Sequence, residues 1–493
     1  MTTVLSRRVL SLVAVLALAG GLFGARPTVS HAGSPAVDMN VTLSVYTCCG
    51  SLQGFNSSAS GNVFSIYSIF HARLAKAFPN LKWQETEFND QATLETRLTL
   101  SVNSGNPPDL VFIQGGYMGF SVLRKLAQPL DKYFAQYHVG DSYFLPAMAK
   151  WTHFGGHWWG IPAVSGPEAG QLVYLPKYMT PLGFNNSNLK TFSQLYQMSK
   201  KAVQFDKSGN LTRIGYWPVG SGAAGVFWQT VARGFCPAGH GIYNAQNQPT
   251  ATDPCNVAAM TYLKQLTDLY GGYAKLSKFL SGDPQIWNGS PKDYQAVGKT
   301  LIPSESNSYW SITPFDSFSF GVTGGLQYQL TSMPPTLDGT MAEAANIPAT
   351  QQAIIIPPGA KHPDAAFAVS KFICWDNGSL LGPSTNGSPV AADQEKWLNG
   401  LVVGEAANRK ANKLPGNPSA TLAALKLQPQ LARNSQAYLP INPVDVFYED
   451  QLAKATARVL FGQQSAASAL AQVQRLVVAD QQRLQNQYGN WNW

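Results

Sequence analysis

The segment from Val41 to Leu130 constrains the fold most, because it reads as strand, helix, strand, helix, strand in unbroken order. Val41 to Thr47 alternates apolar and polar residues as a half-buried strand does. Phe64, Phe70, Leu74, Ala77 and Phe78 recur at near-helical spacing until Pro79-Asn80 stops the helix. Leu81 to Phe88 predicts a second strand, and Asn89 or Asp90 can cap a helix bearing Leu94, Leu98 and Val102. A Gly-Asn-Pro-Pro breaker precedes Asp109, after which Leu110-Val-Phe-Ile113 has the continuous apolar character of a parallel strand buried on both faces. Right-handed crossovers join such strands into an open α/β sheet, and ligands bind that architecture at the carboxyl ends of its strands. Those ends are Tyr46-Thr-Cys-Cys-Gly50 and Gln114-Gly-Gly116.

Length allows more than one such unit: 493 residues suffice for two or three domains with a large core. Residues 1–32 read as an export signal, with Arg7-Arg8 as the basic end, Val9 to Phe23 as the apolar stretch and Ser30-His-Ala32 as a cleavage site. No cysteine lies near that site, so no lipid anchor is expected, and no second apolar run approaches the ~20 residues needed to span a bilayer. The formal charge is +8, and loss of Arg7, Arg8 and Arg26 with the signal leaves +5, a mild excess without basic runs interleaved with aromatics. A nucleic-acid partner is therefore not expected.

Export makes disulfides plausible for the five cysteines. Cys236 and Cys255 bracket a Gly-, Asn- and Pro-rich loop and are the expected pair. For Cys48 and Cys49 three alternatives stand: one pairs with Cys374, both are free, or they join each other.

Further along, Trp151 to Pro162 is a turn-rich passage into a second region, followed by a strand at Gln171 to Tyr174 and a helix opened by Thr191. Asp206 to Asn210 is a turn between strands at Gln204-Phe205 and Leu211 to Trp217. Val257 to Tyr270 is a helix ending at Gly271-Gly272, and Ile354-Ile-Ile356 a buried strand. Asp364 to Trp375 is a helix with Ala368, Phe372 and Trp375 on one side. Helices near Val446–Leu460 and from Ser465 to about Gln487 close the chain.

Catalytic and metal patterns fail one by one. Gly298-Lys-Thr300 lacks the phosphate-loop glycine five residues earlier, where Asp293 stands. His153 and His157 are separated by Gly155-Gly156, which frees them from a shared helical face, so no metal site is expected. Ser221 lacks the outer glycines of a nucleophile elbow. Glu85 and Glu87 share a strand face that is better read as solvated than as a glycosidase pair. No cofactor motif is present. Aromatic residues remain: Trp151, Trp158, Trp159, Trp217, Trp228, Trp287 and Trp310 lie beside Gly, Pro, Ser or Asn. A flat ring edged by polar groups suits the weakly apolar face of a sugar, although any single Trp can equally pack in a core.

Five segments in order give the chain a resemblance to the family 1 extracellular solute-binding proteins of ABC importers, the maltose-binding-like group. They are Phe70 to Asp131, His157-Trp-Trp-Gly-Ile-Pro162, Thr191 to Leu195, Lys361-His-Pro-Asp-Ala-Ala366, and Phe461-Gly462 with Ala466 to Leu470. Gly298-Lys-Thr-Leu-Ile302, the cysteine loop and the absent anchor cysteine depart from the family pattern.

The resemblance implies an α/β, two-lobed, type II periplasmic-binding-protein-like fold with a hinge and an interlobe cleft. Lobe one is expected at 40–149 plus 316–378, and lobe two at 150–315 plus 379–493. It further implies a monomeric, non-enzymatic receptor that binds a carbohydrate, an oligosaccharide by expectation, and delivers it to a membrane permease. A secreted glycoside hydrolase is the alternative. Tyr46, Trp217, Trp228, Trp310 and Tyr448 are the stacking candidates, Gln114 a hydrogen-bonding one, Glu168 a hydroxyl acceptor, and Asp109 either a ligand contact or a hinge brace.

Overall fold

The computed structural model describes residues 37–48, 74–167, 172–185, 187–218, 232, 234–237, 240–283, 294–295, 297–302, 329–330, 348–376, 389–393, 436–437 and 441–491. Its strands are β1 (Thr42–Cys48), β2 (Lys82–Phe88), β3 (Leu110–Gln114), β4 (His153–Phe154), β5 (His157–Trp158), β6 (Ile161–Pro167), β7 (Val173–Tyr174), β8 (Gln204–Phe205), β9 (Leu211–Tyr216), β10 (Thr300–Ile302), β11 (Gln329–Leu330), β12 (Pro348–Ile355) and β13 (Gln436–Ala437). The helices that matter here are α1 (Gln91–Asn103), α2 (Tyr117–Leu123), α3 (Asp131–Gln136), α4 (Pro146–Thr152), α5 (Phe192–Ala202), α6 (Pro254–Leu269), α7 (Tyr273–Leu280), α8 (Pro363–Lys371), α9 (Asp445–Leu460) and α10 (Ala466–Tyr488).

The first sheet runs β13-β12-β3-β1-β2, with β6 also paired to β12. β1 is parallel to both β2 and β3, as the opening pattern predicts. Leu110, Val111 and Ile113 of β3 are fully buried, which explains their lack of alternation. Asp90 caps α1, its carboxylate accepting from the Thr93 N–H at 2.7 Å. β12 is antiparallel to both β3 and β6, so β6 runs in the same direction as the parallel strands, while β12, with β13 parallel to it, runs against them.

Residues 151–162 remain with this sheet. Trp158 on β5 stacks on Phe134 of α3 with ring centroids 3.9 Å apart, and Trp375 Nε1 donates to the Pro162 carbonyl at 3.1 Å. Trp151 is buried on α4. These tryptophans are rings of the first core. Residues 389–390 join it as well, because the Leu145 N–H donates to Pro389 O at 2.8 Å and Phe144 bridges Val390.

The expected helix over Asp364 to Trp375 is a regular helix only to Lys371, followed by a wider turn over Phe372–Asp376. Of the three residues on one side of it, Trp375 is buried and Ala368 and Phe372 are half-buried, while Ala365, Ala366, Phe367 and Val369 are buried as well. The helix lies deep in the aromatic core, where Phe367 meets Tyr133, Phe134 and Trp375.

A second core gathers β9, β10, α5, α6, α9 and α10. β9 and β10 are parallel, and β8 is antiparallel to β9 across the turn at Asp206 to Asn210. Thr191 forms a capping box at α5: its side chain accepts from the Gln194 N–H, while Gln194 Oε1 accepts from the Thr191 N–H. α9 and α10 turn back on one another through Gly462, whose φ of 73° favours glycine.

Cys236 and Cys255 form the expected disulfide. Cys374 is a buried free thiol, so the alternative that pairs it with Cys48 or Cys49 is corrected. Cys48 is itself disulfide-bonded, to a partner outside the described residues.

Candidate functional site

The carboxyl end of β3 is built from three passages of the chain. Gln114 lies opposite Gln352 of β12, and Gln352 also pairs with Val164 of β6. Both glutamine side chains are half-buried. The β12–β6 register shifts between Gln352 and Ala353, a local irregularity at the same level. Gly115 (φ 47°) and Gly116 then turn the chain directly into α2.

α2 connects the two halves of the molecule. Its sequence position ties it to β3, yet Leu123 packs against the second core. At Gly119 the approach is so close that a Cβ would stand 3.1 Å from Asn442 C and 3.2 Å from Pro443 N. Tyr117, the first residue of α2, is half-buried, and burial, with Glu449 of α9 and Glu95 of α1 adding repulsion, pushes its hydroxyl well above the ordinary range. Tyr117 therefore stays a neutral hydroxyl that can both donate and accept.

Beneath α2 lies Glu95, sealed between α1 and α2. Its Oε1 accepts from Ser121 Oγ at 3.2 Å and Gln91 Nε2 at 3.4 Å. Desolvation, partly offset by those bonds and by Arg124, raises its carboxyl to about 8. In the second core, Trp217 follows β9 directly and is 2% exposed. Its backbone N–H donates to Ile302 O, but its indole Nε1 has no partner among the described residues.

The expected site residues scatter. Gln114 stands at the strand ends, and Trp217 at the carboxyl end of the second parallel pair. Tyr46 packs edge-on against Phe88 and its hydroxyl meets Ser101 Oγ on α1 at 3.1 Å. Asp109 lies just before the amino end of β3, at the other end of the strand from Gln114. There its two oxygens accept from the Ser44 and His362 N–H groups at 2.9 and 2.8 Å. Tyr448 is 1% exposed and donates to Ile242 O at 2.9 Å, inside the second core. Glu168, Trp228 and Trp310 lie outside the described residues. Tyr117, Gln352 and Glu449 were not anticipated. Only Tyr117 had a signal, its place directly after the Gly-Gly turn at a strand end.

His153 and His157 are each engaged by a carboxylate, Asp141 at 2.6 Å and Asp131 at 2.9 Å. Among the described residues no group of three His, Cys, Asp or Glu side chains is arranged to hold a metal ion. Glu85 accepts from Thr47 Oγ1 at 2.6 Å and from Trp83 Nε1 at 3.2 Å. Among the described residues no helix is long and apolar enough to cross a membrane.

The family described as bacterial extracellular solute-binding protein matches residues 65–373. No curated protein matches the chain significantly. Solved structures share its fold at low identity. CpMnBP1 with mannotriose bound has a TM-score of 0.66 at 18% identity, covering 89% of this chain and 100% of its own. A solute-binding protein from Thermotoga lettingae, bound with alpha-D-tagatose, gives 0.64 at 13%, covering 89% and 99%. An ABC substrate-binding protein from Listeria monocytogenes, in complex with cycloalternan, gives 0.63 at 14%, covering 89% and 98%.

Proposed function

Because the chain belongs to the bacterial extracellular solute-binding protein family, we propose that it holds a carbohydrate between its two lobes and hands it to the membrane permease of an ABC importer. The observation that carries this reading is the junction at Gln114, where β3, β12 and β6 meet at the carboxyl end of the parallel strands and lead into the helix that touches the second core. Ligands bind open α/β sheets at such ends. The side chains there are amides and a neutral tyrosine that feels the negative charge of Glu449 on α9. Amides and carboxylates bind hydroxyl groups, and an aromatic ring suits the face of a sugar. The fold is shared with proteins solved with mannotriose, tagatose and cycloalternan.

In this reading lobe one includes residues 151–167 and 389–393 in addition to the opening sheet, because their partners lie there. Lobe two contains the second core. A sugar that bridges the lobes favours the closed state by its differential affinity, and the permease reads that state. Trp217 offers a ligand hydroxyl the indole N–H that has no partner among the described residues. The glycoside hydrolase alternative has no observation in its favour, and no bond is broken in the proposed cycle. The export signal at residues 1–32 belongs to the same proposal.

Calorimetric titration of the mature protein, freed of bound ligand by unfolding and refolding, with mono- and oligosaccharides tests it. One-to-one binding with the sugar recovered intact is expected. Gln114→Ala weakens that binding about tenfold, equivalent to ~1.4 kcal/mol. Turnover of the sugar, or silence across the panel, overturns the reading.

A further inference from the structure

The disulfide-closed loop does more than cover a surface. Between Cys236 and Cys255 the chain forms a hairpin, with Tyr243 bridging Pro249 and the Asn244 side chain accepting from the Gln246 and Gln248 N–H groups. Its tip is Asn247, a non-glycine residue with a φ of 58°. Asn is one of the few residues that tolerates that conformation, so the tip is set by backbone geometry as well as by bonds.

This tip grips one particular segment. Asn247 Nδ2 donates to Ile441 O at 2.8 Å, and Asn442 Nδ2 donates back to Asn247 O at 3.1 Å. Tyr243 donates to the buried Asp445, and Tyr448 donates to Ile242 O. From the far side, Gln474 donates to Pro249 O at 2.7 Å, tying the loop to α10. The gripped segment, Ile441 to Asp445, is buried throughout. It is also the surface that Gly119 of α2 approaches at near-contact distance.

We propose that Asn247 is a positioning residue for lobe movement: held at the tip of the disulfide loop, it fixes the Ile441–Asn442 backbone against which α2 of lobe one seats. The proposal rests on the two-lobed reading and deepens it. A seam in which an added methyl group would force its neighbours to give way transmits a small displacement of one partner to the other, because packed interfaces do not deform continuously. Loss of the Asn247 side-chain bond lets Ile441 and Asn442 shift, and α2, which begins at the ligand end of β3, loses its fixed seat. The relative populations of the open and closed arrangements then change without any change in a ligand contact.

The test uses the mature full chain without sugar. Asn247→Gly retains the left-handed backbone and removes the side-chain bond to Ile441. Asn247→Asp retains size and backbone preference and turns the donor into an acceptor facing a carbonyl. Hydrogen exchange is read by peptide, and the interlobe distance is read from spin labels at Leu100→Cys and Phe205→Cys, both exposed sites on opposite cores. Both variants are expected to speed exchange at least threefold in residues 117–123 as well as 441–448, to leave α5 unchanged, and to broaden the distance distribution. Faster exchange confined to 441–448 with an unchanged distance distribution means that Asn247 only packs its own loop, and overturns the proposal. So does wild-type behaviour in both variants. If Asn247→Gly fails to fold, the same pattern is required of Asn247→Asp. Neither readout involves a sugar, so a failure here is distinct from a failure of the carbohydrate reading in calorimetry.

Discussion

Glu95 shows how one residue can set the pH response of this protein. A carboxyl with an ordinary value near 4.5 sits at about 8 in the folded chain, because burial disfavours its charge more than Ser121, Gln91 and Arg124 restore it. The folded state therefore binds a proton more tightly than the unfolded one. This stability is complete below about 4.5 and is lost as the pH rises through about 8. Glu95→Gln keeps the shape and cannot ionise. It is expected to flatten the decline of urea midpoint between pH 5 and 8.5 and to be the more stable protein at the upper end, by an amount on the order of a few kcal/mol. An unchanged slope would show that the carboxyl is not the titrating group. Trp217→Phe is the complementary probe of the proposed site: it keeps a ring and drops the indole N–H. Weaker sugar binding, with a larger loss than in thermal stability, is the expected pattern.

At the scale of elements, the join between α5 and β9 is among the tightest in the second core. A Cβ at Gly215 would stand 2.4 Å from Ser199 Cα, and Ser199 Oγ accepts from the Tyr216 N–H at 2.9 Å. Gly215→Ala must push the strand off the helix. A cost of about 1–3 kcal/mol is expected, read from the denaturant midpoint. Thr191→Ala removes one half of the capping box at the start of the same helix and costs about 1 kcal/mol, measured in the same way. Elements like these are legible in advance because their signals are local. Asp90 and Thr191 are caps at the positions where a cap is expected, and the Asp206 turn joins the two strands that flank it. Burial around α8 is not confined to one stripe that a sequence pattern could mark, because the helix lies among aromatic rings.

For the whole molecule, the Cys236–Cys255 bond closes a loop that holds α9 and α10 in place. Replacing both cysteines by serine is expected to cost about 3 kcal/mol, mostly through the freedom returned to the unfolded chain, with the effect read by calorimetric unfolding. A true ligand should act in the opposite direction: at a hundredfold excess over its dissociation constant it adds ~2.7 kcal/mol. The chain alone determined the parallel β1–β2–β3 opening, the family resemblance, the terminal helices and the disulfide, because periodicity, breakers and residue types are properties of neighbouring positions. Tertiary structure decided the rest. It set Gln352 beside Gln114, brought the start of α9 to α2, and turned Tyr448 and Asp109 inward, to a carbonyl and to two backbone N–H groups. Those placements depend on which distant segments pack together, and burial, unlike periodicity, has no value until both partners are present.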